Sequence, residues 1–315
     1  MATVNELPTS QPRNYNTISP SARSLLLLKG YTPIPFAREA ARLIQYPEPY
    51  TPDFSIRQPG FWARVGHFEA RYWSIDQLLT DLLLAAASPG ILNILELSSG
   101  FSFRGLALAA EHPVYYIDTD LPEVIDTKQQ LVASLTRAEQ SPAGTNAANP
   151  APRGHYELRP LNALDETAFN DIVDSFAPGP LVIVNEGLLM YLGLEEKRRL
   201  GALIRKTLLQ RGGYWITADI YLKRSQRQEE PELAQGDTLR QFLEQHKVEE
   251  NMFNSFEEAT ELFTSMGFAI DKEAQPDFGK LSSMPHFLAS VSPDALQRLQ
   301  QRGKIHATWR LRPTP

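Results

Sequence analysis

The feature that most restricts this chain is an alternation beginning after Pro89. Short runs of branched and aromatic residues (Ile91 to Leu97, Val114 to Ile117, Tyr156 to Leu161, Leu181 to Val184, Tyr214 to Thr217) are separated by longer stretches with helical spacing. Strands that are apolar throughout, spaced by helices, read as βαβ units in a parallel sheet covered on both faces. The helices are legible in places. Over Glu195 to Leu209, Leu200, Leu203, Ile204 and Leu208 share one face, with Lys197, Arg198 and Arg199 opposite, and Gly212 and Gly213 stop the pattern. Further on, Ser255 and Glu258 have capping-box spacing ahead of Ala259, Leu262, Phe263 and Met266, with Gly267 as the stop. Phe268 to Ile270 and His286 to Val291 are expected as the last strands.

Ahead of the alternation the chain reads differently. Residues 1 to about 16 are polar and read as a tail. From Ser19 to Leu84 apolar residues recur at helical spacing, and prolines at 33, 35, 47, 49, 52 and 59 divide the stretch into several helices. The division expected is a tail and helical cap over 1–84 and an α/β domain over 85–315. An insert at about 221–254 follows the fifth strand, and 139–154 forms a surface connection. Composition removes whole classes of chemistry. With no cysteine there is no thiolate metal site, Fe–S cluster or cysteine nucleophile, and no metal is expected. With 31 Lys+Arg against 37 Asp+Glu, a net charge of −6 gives no footprint for nucleic acid, so small molecules are the expected partners. The opening residues show no signal-peptide pattern and no apolar run is long enough to span a bilayer, so a cytoplasmic protein without membrane contact is expected.

The chemistry is concentrated at the carboxyl ends of the strands. In LELSSGFSFRG (95–105) an apolar strand runs into small residues and then a helix, which brings backbone N–H groups and a helix N-terminus toward a ligand. Counted from Glu96, the segment is a Glu-x-Gly-x-Gly-x-Gly nucleotide-binding pattern with serine at two of three glycines. The second strand ends in Asp118 and Asp120, 22 and 24 residues past Glu96, near the offset at which an acid accepts from ribose hydroxyls. A turn that has lost two glycines suits a phosphate-free nucleoside better than a pyrophosphate. The cofactor expected is therefore S-adenosyl-L-methionine. Its cationic tail would also account for two glutamates, Glu96 and Glu186, at strand ends where a lone carboxylate is costly.

The segments FWARVGHFEARYWSIDQLL (61–79), LELSSGFSFRG, YYIDTDLPEVIDTK (115–128), VNEGLLMYL (184–192) and GGYWITADI (212–220) together resemble the leucine carboxyl methyltransferase family. The similarity is to its bacterial branch related to tetracenomycin-type polyketide O-methyltransferases, and it runs in order over about residues 15–292. It implies the Rossmann-like class I methyltransferase fold, with seven strands, the last antiparallel, and an N-terminal helical cap over the site. It also implies roles. Arg64 would contact the methionine carboxylate, Ser98 and Gly100 would form the turn beneath the cofactor, and Asp120 would hold the ribose. Asn162, with Ala163, would lie near the adenine, and Glu186 would be the acid after the fourth strand. Serine at positions 98 and 102, where the carboxyl methyltransferases proper have glycine and aspartate, points away from a protein C-terminus and toward a small-molecule acceptor with a carboxylate or phenolic oxygen. His67 is the candidate base, and Tyr191, with Tyr72 and Trp73, the candidate wall for a polyketide-like acceptor. Two other readings are an inactive cofactor-binding protein on the same fold and an α/β-hydrolase with Ser102, Asp219 and His286.

Overall fold

A computed structural model describes residues 19–44, 60–85, 91–139, 152–223, 244–301 and 303–315. The expected N-terminal tail lies outside these, as do most of the 139–154 connection and most of the insert. The order is α1 (Ser19–Lys29), α2 (Ala37–Leu43), α3 (Phe61–Ala85), β1 (Leu92–Leu97), α4 (Arg104–Glu111), β2 (Val114–Asp120), α5 (Pro122–Glu139), β3 (His155–Pro160) and α6 (Glu166–Ser175). There follow β4 (Leu181–Asn185), α7 (Leu194–Arg211), β5 (Gly213–Tyr221), α8 (Phe256–Ser265), β6 (Phe268–Glu273), α9 (Met284–Ser290), α10 (Pro293–Gln301) and β7 (His306–Pro313). The strands form one sheet in the order β3-β2-β1-β4-β5-β7-β6. Strands β1 to β5 pair parallel, and β7 runs antiparallel between β5 and β6. This is a Rossmann-like, mostly parallel seven-stranded sheet with an antiparallel last strand, as expected.

The continuous apolar runs are explained by burial on both faces. Along β4, Leu181 and Ile183 join a cluster with Phe169 of α6, Leu200 and Ile204 of α7 and Phe263 of α8. Val182 and Val184 join the opposite cluster with Ile75, Leu78 and Leu79 of α3 and Ala109 of α4. Helix α3 is therefore a layer of the sheet. Helices α1 and α2 do the covering: Leu26, Ile34 and Ala40 pack with Phe101 and Phe103 of the turn after β1 and with Val124, Leu131 and Leu135 of α5. Chain order reverses between β1 and β4, where parallel sheets open a crevice beyond the strand ends.

Local signals resolved as follows. Gly213, at φ 112°, is where α7 hands over to β5, and an added Cβ would lie 2.0 Å from the Leu181 carbonyl oxygen, so no side chain fits. Ser255 caps α8 through Glu258 N (3.1 Å), but the Glu258 carboxylate returns to Asn254, one residue short of the expected partner. The expected strand at His286 to Val291 is instead helix α9. Its start is fixed by the buried Glu69 of α3, whose carboxylate accepts from the amides and hydroxyls of Ser282 and Ser283 at 2.6–3.0 Å. The final strand is β7, where Ala307, Trp309 and Leu311 turn into the core.

Candidate functional site

The turn after β1 is held by backbone contacts that reach β2. Ser99 N donates to Thr119 O (2.9 Å) and Ser102 N to Ser99 O (3.0 Å), while Gly100 N donates to Asp120 Oδ2 (2.7 Å). The other Asp120 oxygen accepts from Leu121 N (2.7 Å). The two motifs recognised separately in the sequence are thus joined by one hydrogen bond. Ser98 and Gly100 both adopt left-handed backbone, φ 52° and 53°. Glycine enters that region freely, whereas an L side chain costs about 1–2 kcal/mol. A Cβ on Gly100 would also come within 3.3 Å of Ala22 Cβ, so α1 lies directly on the turn.

Between turn and helix lies a mostly apolar cavity. Ser98, Ser99, Gly100, Phe101 and Ser102 form one side, Asp120, Leu121 and Val124 the next, and Leu161, Asn162, Ala163 and Leu164 the third. Glu186, Gly187, Leu188, Tyr191 and Leu192 follow β4; Ser21, Ala22, Leu25, Leu26 and Lys29 come from α1; and Arg71 comes from α3. Of the residues singled out in the sequence, Ser98, Gly100, Asp120, Asn162, Ala163, Glu186 and Tyr191 are brought together here. Four of the proposed cofactor and catalytic residues are not among its lining, nor are the proposed wall residues Tyr72 and Trp73, which pack in the cluster with Leu26 and Phe103. Arg64 lies two helical turns before Arg71, and Arg71 is the α3 arginine at the cavity. His67 sits behind the wall, with Nε2 2.9 Å from the Tyr221 hydroxyl. Asp118 is wholly buried against Lys128 (2.7 Å) and the Tyr156 hydroxyl (2.6 Å). Glu96 is wholly buried against Arg104 Nη1 (2.7 Å) and the Tyr116 hydroxyl (2.5 Å).

The expectation that a cationic ligand neutralises Glu96 and Glu186 is corrected by the chain's own cations. Glu186 Oε1 accepts from Lys29 Nζ (2.8 Å) and Arg71 Nε (3.0 Å), and Oε2 from Arg104 Nη2 (3.2 Å). Arg104, buried without exposure, also reaches Asp76 (2.7 Å), Glu96 and the Tyr72 carbonyl, with its guanidinium over the Tyr72 ring. Three cations thus balance three carboxylates. Although burial, the largest influence, pushes the Glu186 carboxyl upward, Lys29, Arg71 and Arg104 together hold it well below its ordinary range. Burial lowers Lys29 against the pull of Glu186 and raises Glu96 against that of Arg104. Nothing local in the sequence marks Lys29, Arg71 or Arg104 as partners of these glutamates. Arg71 does occur in the Glu69-Ala70-Arg71 stretch of the first quoted segment. Arg71, which lines the cavity, has one nitrogen without a hydrogen bond: Nη2 is buried, with Glu186 Oε1 3.0 Å away.

The other candidates have structural partners. The Tyr191 phenol is hydrogen-bonded to Ser21 of α1, and burial raises it. Asp219 accepts from Asn185 Nδ2 (2.6 Å) and from the amides of Gly187, Leu188 and Leu189 (2.6–2.9 Å), which shapes the wall after β4. His286 stacks on Trp62 at 4.2 Å. The hydrolase constellation is therefore not assembled: Asp219 and His286 are engaged elsewhere, while Ser102 lies at the turn. Among the described residues no cluster of three His, Asp or Glu offers a metal site, and no helix is long and apolar enough to cross a membrane.

No family model matches this chain, and no curated protein does. Solved structures do resemble it. A DUF574 family protein from Streptomyces avermitilis shares 15% identity, with 93% of this chain and 97% of that one covered and a TM-score of 0.47. The magnesium protoporphyrin IX methyltransferase ChlM from Synechocystis, solved with bound SAH, shares 11%, with 89% and 96% covered and a TM-score of 0.44. The mitomycin 7-O-methyltransferase MmcR shares 13%, with 80% and 58% covered and a TM-score of 0.41. The chain spans less than half the length of others, such as a pericyclic reaction enzyme (44%) and LepI in complex with SAM (45%). At these scores the likeness assigns neither family nor chemistry.

Proposed function

We infer that this cavity binds S-adenosyl-L-methionine and that the chain is an O-methyltransferase acting on a carboxylate or phenolic oxygen of a small molecule. The observation that carries the reading is the pairing of Asp120 at one part of the cavity with the unsatisfied Arg71 Nη2 and Lys29 at another. A ligand with vicinal hydroxyls at one end and a carboxylate at the other suits such a wall. Each Asp120 oxygen accepts one backbone N–H and keeps a second lone pair for a ribose hydroxyl. Arg71 and Lys29 supply directed positive charge for the carboxylate. Asn162, whose Oδ1 accepts from Leu164 N (3.1 Å), keeps its amide N–H groups for the base, beside apolar Leu161, Ala163 and Leu188.

When bound, the cofactor supplies an electrophilic methyl group. The chain's part is orientation and dryness: Leu25 and Leu26 of α1 cover the cavity, and the cationic charge lost during transfer needs no compensating dipole. Glu186, ionised and paired three times, serves as a fixed counter-charge.

The test is calorimetry with S-adenosylhomocysteine, followed by transfer of a labelled methyl group to a panel of carboxylic acids and phenols. Binding that is lost in Asp120→Ala and Arg71→Met supports the reading. Absence of any binding heat to the wild-type protein overturns it.

A further inference from the structure

We propose that Tyr221 and His67 are positioning residues for Arg71, forming a second row behind the cavity wall that orients its guanidinium toward the carboxylate of the ligand. This rests on the cofactor reading above and assigns roles to two groups that the ligand does not touch.

A guanidinium has five N–H donors and no acceptor, so each buried N–H needs an oxygen or nitrogen partner. Arg71 is buried. Its Nε donates to Glu186 and one Nη1 N–H to the Tyr221 hydroxyl (3.0 Å), while Nη2, 3.0 Å from Glu186 Oε1, makes no hydrogen bond. The Tyr221 oxygen accepts from Arg71, and in the proposed arrangement its O–H donates to the other neighbour, His67 Nε2 at 2.9 Å. That arrangement calls for the His67 tautomer with its proton on Nδ1. Burial, its largest influence, holds the Tyr221 phenol up at about 12, so it keeps the proton it must donate.

The placement is rigid because it spans three elements. His67 and Arg71 are one turn apart on α3 and face the same way. Tyr221 ends β5 and is packed by His306 at the start of β7, ring centroids 4.4 Å apart, while His306 Nε2 is held by the Ala218 carbonyl (2.7 Å). Phe68 underlies the guanidinium at 4.9 Å. Remove the phenol oxygen and Nη1 joins Nη2 as an orphan, leaving Arg71 to turn about its Nε contact with Glu186.

The effect should fall on the amino-acid end of the ligand alone. Binding is measured by calorimetry with S-adenosylhomocysteine and with 5′-methylthioadenosine, which shares the nucleoside and thioether but lacks the carboxylate. In Tyr221→Phe we expect affinity for S-adenosylhomocysteine to fall about tenfold, with methylthioadenosine unchanged within about twofold. His67→Ala should lose about threefold on S-adenosylhomocysteine, His67→Gln should recover it by returning an acceptor, and His67→Ala should add nothing to Tyr221→Phe. Equal losses on both ligands, no loss on either, or simple additivity would overturn the proposal. If Tyr221→Phe does not fold, the half-buried His67 variants decide by the same contrast. A wild-type protein that binds neither nucleoside removes the cofactor reading and this proposal with it. A wild type that binds both, with variants that do not discriminate between them, removes this proposal alone.

Discussion

Replacing Glu186 by glutamine keeps the shape of the side chain and deletes the anion on which Lys29, Arg71 and Arg104 converge at 2.8, 3.0 and 3.2 Å. The side chains of all four residues are 7% exposed or less, so solvent does little to screen the loss. At an effective dielectric near 20, each contact represents about 5 kcal/mol of Coulomb attraction before desolvation. Removing one member of a buried ion pair typically leaves a net loss of about 3–5 kcal/mol, a large share of a domain's roughly 5–15 kcal/mol. The variant has one way to soften this. Arginine cannot shed its proton, but Lys29 can, and its folded value, already lowered, falls further without Glu186. In that range the unfolded chain binds more protons than the folded one, so the variant gains stability as pH rises from the folded Lys29 value toward 10.5. Glu186 has the opposite relation to its own range. With a folded value depressed below 4.5, its contribution is complete above that pH and fades only as pH falls through the lower value. Urea denaturation between pH 5 and 9.5, followed by the fluorescence of buried Trp215, should show an unchanged slope, a loss of about 3–5 kcal/mol near pH 6 and a smaller loss at high pH. A loss below about 1 kcal/mol, or one constant across that range, would refute the argument.

Three further outcomes follow from other parts of the structure. Ser98→Gly should gain about 0.5 kcal/mol, because relief of left-handed backbone exceeds the added freedom of the unfolded chain; a thermal melt that drops refutes it. Asp219→Asn turns a carboxylate that accepts four N–H bonds into a group that opposes some of them, so about 3 kcal/mol should be lost together with cofactor affinity, measured by urea melts and calorimetry. His306 is held by burial near 3 against an ordinary 6.5, so the unfolded state takes up a proton first and wild-type stability should fall as pH drops through that window. The residue as a whole is only partly buried, which limits the effect to about 1–2 kcal/mol, and His306→Gln should flatten the curve by that amount; parallel curves would exclude His306.

The central sheet was legible because its strands are apolar on both faces, so β1 to β5 announce themselves regardless of packing. The two ends of that legibility have physical causes. His286 to Val291 is a short apolar run whose period fits strand or helix alike, and the helix is chosen by Glu69, more than 200 residues earlier in the chain. Strand β7 carries Arg310 and Arg312 on its outward side, which lowers its apparent hydrophobicity although Trp309 and Leu311 alternate inward. At the site, spacing found the turn and the acidic strand end, and the structure sets Asp120 on the cavity and Asp118 beneath it. What spacing could not find was the counter-charge for Glu96 and Glu186. Lys29, Arg71 and Arg104 come from three helices, and nothing local marks a lysine in an apolar helix or an arginine in a small-residue turn as the partner of a distant glutamate.

Arg104 ties Asp76 and the Tyr72 carbonyl of α3 to Glu96 on β1 and to Glu186 beyond β4, while Lys29 brings α1 to the same carboxylate. This sets a rule for modular engineering. The segment before residue 85 is not an interchangeable accessory, because a graft from another protein of this architecture would arrive without Lys29, Arg71 and Asp76 and leave the recipient's Glu186 with one cation in place of three. Compatible donors can be screened by that charge tally before any sequence similarity is considered.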